Sequence, residues 1–281
     1  MLEHDVLVIG AGLAGMRAAI AARAEGASVA IISKVHPVRS HSNAAQGGIN
    51  AALTDRGDGW EDHAYDTVKG SDYLGDQDAI EVMCQSAGQA LIDMEHFGVT
   101  FNRDDEGKLG TRAFGGQRRA RTFFVGDFTG QAMLHVMFEQ LIKSGVRSYE
   151  EWFVTGLIQE DGQVCGVTAL EIRSGQIYAI RSKTIIFCTG GLGRVFEPST
   201  NALIVPGDGM ALAYNAGARL MDMEMVQYHP TTLSGSGVLI SEAARGEGAY
   251  LLDKNGERFL ERYAPNMMEL ASRDVVSRAE Q

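Results

Sequence analysis

Gly10, Gly12 and Gly15 stand as G-x-G-x-x-G, a spacing suited to phosphate recognition. The first glycine permits a tight turn, the second lets a pyrophosphate approach the backbone, and the third lets the following helix pack closely on the strand. Ala11, Leu13 and Ala14 fill the positions between them, so their backbone N–H groups belong to the same candidate cradle. The motif does not separate FAD from NAD, and a glycine-rich turn that binds nothing is its structural alternative. Imidazole, carboxylate and guanidinium groups recur at His41, His229, Glu242, Arg245 and Arg273. Taken singly, these fit a loop histidine bonded to backbone, a histidine before a rigid proline turn, charged loop surface, and a helix charge paired with Glu269 at i,i+4.

Such groups need elements to position them. Residues 5–9 form a short apolar run, 16–25 an alanine-rich stretch ended by Gly26, and 27–32 a second apolar run. The order predicts strand, helix, strand: one βαβ unit of a parallel sheet. At the end of the second strand an acidic residue commonly meets ribose hydroxyls; Ser33 and Lys34 stand there instead and become the candidates. Small and polar residues over 39–52 predict a loop packed on something flat rather than a regular element. Helices are predicted over 76–97 and 130–143, and paired strands over 151–173, with Gly162 near the hairpin, and over 177–181. A separate buried strand is predicted over 184–189, a small-residue helix over 207–218, and a final helix over 266–281. Composition changes after Tyr228, which places 1–228 in one domain and 229–281 in the next.

The 281 residues, 45% hydrophobic and 22% charged, describe a globular chain, and the net charge of -11 excludes a nucleic-acid binder for want of a basic surplus. Cys84, Cys165 and Cys188 lie far apart, so neither a metal cluster nor a disulfide framework is expected. No secretory signal or membrane-spanning run is expected either.

The run from Arg39 to Gly48, R-S-H-S-N-A-A-Q-G-G, resembles the loop of succinate dehydrogenase and fumarate reductase flavoproteins that lies against the isoalloxazine ring. The resemblance implies FAD joined covalently through His41, with Ser40, Ser42, Ala45, Gln46, Gly47 and Gly48 beside it. Attack on the flavin methyl carbon needs an unprotonated imidazole, which a histidine provides near neutral pH. Ala113-Phe114-Gly115-Gly116-Gln117 and Arg121-Thr122 resemble the stretch that approaches the substrate side, which makes Phe114 a candidate contact. Cys188-Thr189-Gly190-Gly191 and Gly207-Asp208-Gly209 stand where that family contacts FAD, which adds Thr189, Gly190 and Asp208.

Tyr228-His229-Pro230-Thr231 resembles the family's H-P-T signature, and residues 241–248 resemble T-E-G-x-R-G-E-G, with Ser241 for threonine and Ala243 for glycine. The resemblance implies that His229 and Ser241 bind a dicarboxylate, that Glu242 and Arg245 form a proton relay, and that Arg273 exchanges a proton with a substrate carbon while flavin N5 exchanges a hydride with the other. Burying an unpaired carboxylate is costly, so each end of such a substrate needs a partner. The implied fold is α/β: a Rossmann-like FAD-binding domain with a parallel sheet, helices and a small antiparallel insertion, then the start of an α+β capping domain. The implied partners are an iron–sulfur subunit and a membrane anchor, with this chain peripheral at the cytoplasmic face of a membrane. Family members continue well beyond residue 281, so these residues alone are expected to have little succinate-oxidising activity. An L-aspartate oxidase-type enzyme, which lacks the flavin-linking histidine, and a non-catalytic FAD-binding fragment are the alternatives.

Overall fold

The two apolar runs at the start of the chain become β1 (Leu2–Ile9) and β2 (Val29–Ser33) in the computed structural model, which describes residues 2–281. Between them runs α1 (Leu13–Ala24), and beyond them lie β3 (Ile49–Asn50), α2 (Trp60–Gly70) and α3 (Gln77–Phe97). Next come β4 (Thr111–Arg112), β5 (Thr122–Phe123), α4 (Thr129–Ser144), β6 (Arg147–Glu150), β7 (Trp152–Glu160), β8 (Gln163–Glu171) and β9 (Gln176–Phe187). The helices α5 (Asp208–Asn215), α6 (Glu242–Gly246), α7 (Leu260–Tyr263) and α8 (Arg273–Glu280) complete the chain. Two compact units result: Met1–Ala44 with Met133–Val226, and Ala45–Ala132 with Gln227–Gln281.

The first unit is built on a six-stranded sheet in the order β6-β2-β1-β9-β8-β7. β6, β2, β1 and β9 are parallel, with Ile9 level with Ile32 on one side and with Phe187 on the other, and β8 and β7 add an antiparallel edge. Leu7, Ile9, Ala30, Ile32, Val167, Ala169 and Ile180 form its buried core. Asp161 and Gly162 both take positive φ between β7 and β8, the two-residue turn that matches the twist of paired strands. In the second unit, β3, β5 and β4 form a small antiparallel sheet, and α2 packs against α3. Asp76 caps α3 by accepting from the Ala79 N–H at 3.2 Å. Phe259, Leu260, Ala271 and Val276 make a separate apolar cluster.

The α/β class and the first βαβ unit are as expected, and several local expectations change. The 39–52 stretch is not wholly irregular: a 3-10 turn over Pro37–Arg39 leads into it, and it holds a second at His41–Ala44 and then β3. The strand pieces expected at 177–181 and 184–189 are one twelve-residue strand, β9, buried at Ile180 and Ser182 and half-buried or exposed beyond them. The helix expected over 266–281 is broken: a 3-10 turn at Met268–Leu270 is followed by extended Ala271 and Ser272 before α8 begins. That break turns Glu269 inward, where its carboxylate accepts from Arg258 Nε at 3.0 Å and from the Leu251 N–H at 3.3 Å. Pairing of Glu269 with Arg273 is therefore replaced by pairing with Arg258.

Candidate functional site

The first unit presents a cavity at the carboxyl ends of its parallel strands, lined by the 10–14 turn, Ser33, Lys34, Ser40, His41, Ser42, Thr189, Gly190 and Asp208. Gly10 has φ +105°, and a Cβ there would overlap the Cys188 carbonyl, so only glycine lets the turn close on β9. Gly12 precedes α1 with no side-chain cap, which leaves first-turn N–H groups of that helix facing the cavity. Gly15 lies outside the lining; a Cβ there would overlap the Gly10 carbonyl, so its part is close helix–strand packing.

Three side chains on the far side complete the cradle. Ser42 Oγ lies 3.4 Å from the Leu13 N–H, while Ser40 Oγ and His41 Nδ1 are buried without hydrogen-bond partners. Orphaned polar atoms beside a helix amino terminus are the arrangement a bound dinucleotide would satisfy. Lys34 pairs with Asp208 at the start of α5, so the residue expected to contact cofactor already has a cationic neighbour.

The remaining predicted cofactor residues belong to the second unit. Gly47 presses on Phe114: a Cβ at 47 would sit 2.6 Å from the Phe114 ring. Ala45 and Gly48 are exposed, and Arg112 holds the Gln46 and Gly47 carbonyls from behind.

A polar cavity in the second unit gathers Phe114, Glu242 and Arg273 with Gln227, Asn50, His63, Asp66, Arg121 and Ser272. Glu242 is buried at the start of α6 and accepts from the Gly115 N–H at 2.8 Å and from Arg273 Nε at 2.7 Å. Arg245, one turn on, lies 3.7 Å from the same carboxylate and donates to the Glu269 carbonyl at 2.7 Å. Burial pulls the Arg245 guanidinium below the ordinary arginine value, with Glu242 opposing. Arg273 is thus hydrogen-bonded to Glu242, and Arg245 stands within ion-pair distance of the same carboxylate, its buried Nε and Nη2 making no hydrogen bond. Gln227, which sequence reasoning passed over, accepts from Arg273 Nη1 at 3.0 Å and fixes the guanidinium plane.

His229, Ser241 and Arg245 do not line this cavity. Ser241 Oγ caps α6 by accepting from the Ala243 N–H at 3.2 Å. His229 Nδ1 lies 3.2 Å from the Thr231 N–H and 3.1 Å from its carbonyl, so the ring is fixed through Nδ1 in either tautomer.

In the wall of the cavity, Arg121 is almost fully buried, bidentate to Asp58 at 2.8 and 3.1 Å and bonded to Asp66 at 2.7 Å. Burial alone would raise Asp66; hydrogen bonds from Arg118 and Arg121 outweigh it and hold the carboxyl below its usual range. Asp58 and Asp66 look like solvated charges at a helix start, and only the fold shows their partner.

His41, His63 and His229 are each held below the ordinary imidazole value by burial, with Arg121 adding to the effect at His63 and Arg273 at His229. Kept neutral in the fold, they bind fewer protons than the unfolded chain below about pH 6.5, so stability falls as the pH drops through that region. Urea midpoints are expected to decrease from pH 7 to pH 5, above the window in which paired carboxylates titrate. Equal midpoints at those two values would contradict this.

Residues 5–281 match the family model described as FAD binding domain. The chain is 50% identical over 286 residues to the succinate dehydrogenase flavoprotein subunit of Rickettsia bellii, covering 99% of this chain and 48% of that one. It is 48% identical to the fumarate reductase flavoprotein subunit of Mycobacterium tuberculosis, with 99% and 49% covered. Among solved structures, a variant of E. coli quinol fumarate reductase superposes with a TM-score of 0.95 at 40% identity, covering 99% of this chain and 50% of that one. The chain spans about half the length of the curated relatives it matches. With the glycine turn, the uncapped helix and the unpartnered atoms of Ser40 and His41 in one cavity, and with the family model matched along nearly its whole length, the chain belongs to the FAD binding domain family.

Proposed function

We propose that this chain is the FAD-holding and proton-transferring part of a flavoprotein that interconverts succinate and fumarate. The observation that carries the proposal is the array of Arg273, Glu242 and Arg245, which runs from a polar cavity into the buried interior of the second unit. A flavin supplies, when bound, the acceptor or donor of a hydride.

The protein supplies the rest. Arg273 presents its guanidinium to the cavity. During reduction it gives a proton to a substrate carbon and becomes a neutral guanidine; during oxidation that guanidine, having first passed its proton to Glu242, takes one from a substrate methylene. Glu242, bonded to Arg273 Nε, takes the proton on, and Arg245 stands behind it. Burial of Glu242 and Arg245 keeps water from short-circuiting the route. Phe114 provides an apolar wall of the cavity, and His229 and Ser241, which lie outside its lining, are assigned to the substrate carboxylates by the family resemblance alone.

His41 is poised for the covalent link, because its ring is neutral at working pH and its Nδ1 is free of protein partners. Its relatives are named as flavoprotein subunits, and the motif resemblance supports assembly with an iron–sulfur partner and a membrane anchor. Among the described residues no helix is long and apolar enough to cross a membrane.

The test uses the full-length protein loaded with FAD. Succinate-dependent dye reduction is expected, with flavin that stays on the protein after acid precipitation. His41→Ser is expected to keep FAD bound in neutral buffer and to release more than nine-tenths of it in acid, roughly the change expected when a covalent bond gives way to a non-covalent one. Absence of succinate oxidation in the wild-type protein, or acid-stable flavin in the His41→Ser variant, would overturn the corresponding part of the proposal.

A further inference from the structure

Arg112 is a buried guanidinium that makes no ion pair among the described residues. Burial pulls it below the ordinary arginine value, with Glu247 and Asp127 only partly opposing from a distance. A cation left without a counter-ion in a buried position is costly unless its donors are fully used. Here Nε and Nη2 are used on backbone: Nε bonds the Gly47 carbonyl at 3.1 Å, and Nη2 reaches the Gln46 carbonyl at 3.1 Å and the Gly126 carbonyl at 3.2 Å. The Phe124 ring lies under the guanidinium, 4.2 Å from its central carbon.

In a trans peptide the C=O and the following N–H point in opposite directions. Arg112 draws the carbonyls of residues 46 and 47 to its own side, and that turns the N–H groups of Gly47 and Gly48 the other way. Neither N–H makes a hydrogen bond to protein among the described residues, and the buried Oε1 of Gln46 also lacks a partner. Phe114 and Phe123 restrict the loop further, since a Cβ at Gly47 would meet the Phe114 ring and one at Gly48 the Phe123 carbonyl. The loop is held in one shape with the unsatisfied N–H groups of Gly47 and Gly48 on the side away from Arg112.

We infer that Arg112 is a positioning residue for the cofactor: its grip on the Gln46 and Gly47 carbonyls presents the Gly47 and Gly48 N–H groups to acceptor atoms of the bound flavin ring. This rests on the reading that the 45–48 loop meets the flavin. A lysine cannot replace it, because one ammonium lacks the planar fork needed to bond three carbonyls in this arrangement.

The experiment compares full-length wild type, Arg112→Lys, Arg112→Met and Phe124→Leu by residue-level hydrogen exchange in the flavin-loaded form and in the flavin-free form obtained by expression without riboflavin, with flavin content and melting temperature measured alongside. In wild type, loading is expected to slow exchange at Gly47 and Gly48 at least tenfold. In Arg112→Met the slowing should shrink to less than twofold and retained flavin should fall at least fivefold; Arg112→Lys should behave nearly as badly while melting close to wild type. Phe124→Leu, which keeps the carbonyl bonds, should resemble wild type. Undiminished protection and flavin content in Arg112→Lys would overturn the inference, and that variant decides the matter if Arg112→Met does not fold. Wild type that binds flavin without slowing at Gly47 and Gly48 would instead overturn the reading of the loop, and the inference with it.

Discussion

Changing Arg273 to methionine in the full-length, FAD-loaded protein is expected to lower succinate turnover by about 10²- to 10⁴-fold, the range found when a positioned acid–base group is removed. Flavin content and melting temperature should stay close to wild type. Arg273 is a third exposed, and its removal leaves Glu242 with the Gly115 N–H at 2.8 Å and Arg245 at 3.7 Å, so the buried carboxylate is not stranded. The loss should therefore fall on chemistry rather than on folding. Lysine at 273 is expected to recover little, because one ammonium cannot bond Glu242 and Gln227 along the directions that Nε and Nη1 use. Glu242→Gln would keep the Gly115 bond and lose the proton carrier, giving a comparable drop with Arg273 intact. Turnover within about threefold of wild type in either variant would remove the array from the mechanism.

The parts of this array that were legible in the sequence were the residue types, and the part that was hidden was their meeting. Glu242 and Gly115 are 127 positions apart, and nothing in local periodicity joins them. The first βαβ unit was readable because its signals are local: an apolar run, three spaced glycines, an alanine-rich helix and a second apolar run. The hairpin at Asp161–Gly162 was readable for the same reason. β6 was missed because Arg147–Glu150 is polar and owes its strand conformation to pairing with β2. α2 was missed because Gly57 and Gly59 precede a run dense in charge, whose buried side chains are His63 and Asp66 rather than an apolar stripe. Over 266–281 the helical pattern lost to tertiary structure, since burying Glu269 against Arg258 required the chain to turn at Met268, which takes φ +50°.

The same long-range logic makes Arg121 the residue whose loss should do most damage to stability. It is 1% exposed, and it neutralises two carboxylates, on Asp58 and Asp66, that are themselves almost fully buried. Arg121→Met keeps much of the volume and removes the charge, which leaves Asp58 with the Gly59 N–H at 3.1 Å and Arg119 at 3.9 Å, and Asp66 with Arg118 at 2.7 Å. Stranding part of a buried ionic network costs about 3–5 kcal/mol. That is a large share of the roughly 5–15 kcal/mol that holds a typical domain. The signature of the mechanism is its pH dependence. In wild type the Asp66 carboxyl is held below its usual range, so its contribution is present above the unfolded carboxylate value near 3.8 and is lost as the pH falls through the lower folded value. In the variant the Asp66 carboxyl loses one of the hydrogen bonds that outweigh its burial and takes up a proton at higher pH than in wild type. The gap between variant and wild type in urea should therefore narrow steadily from pH 7 towards pH 4. Combining Arg121→Met with Asp58→Asn and Asp66→Asn should recover much of the loss at pH 7, because the penalty comes from uncompensated charge rather than from a missing side chain. A variant less than about 1 kcal/mol below wild type at pH 7, or a gap that widens in acid, would mean that water or the neighbouring arginines already neutralise the pair.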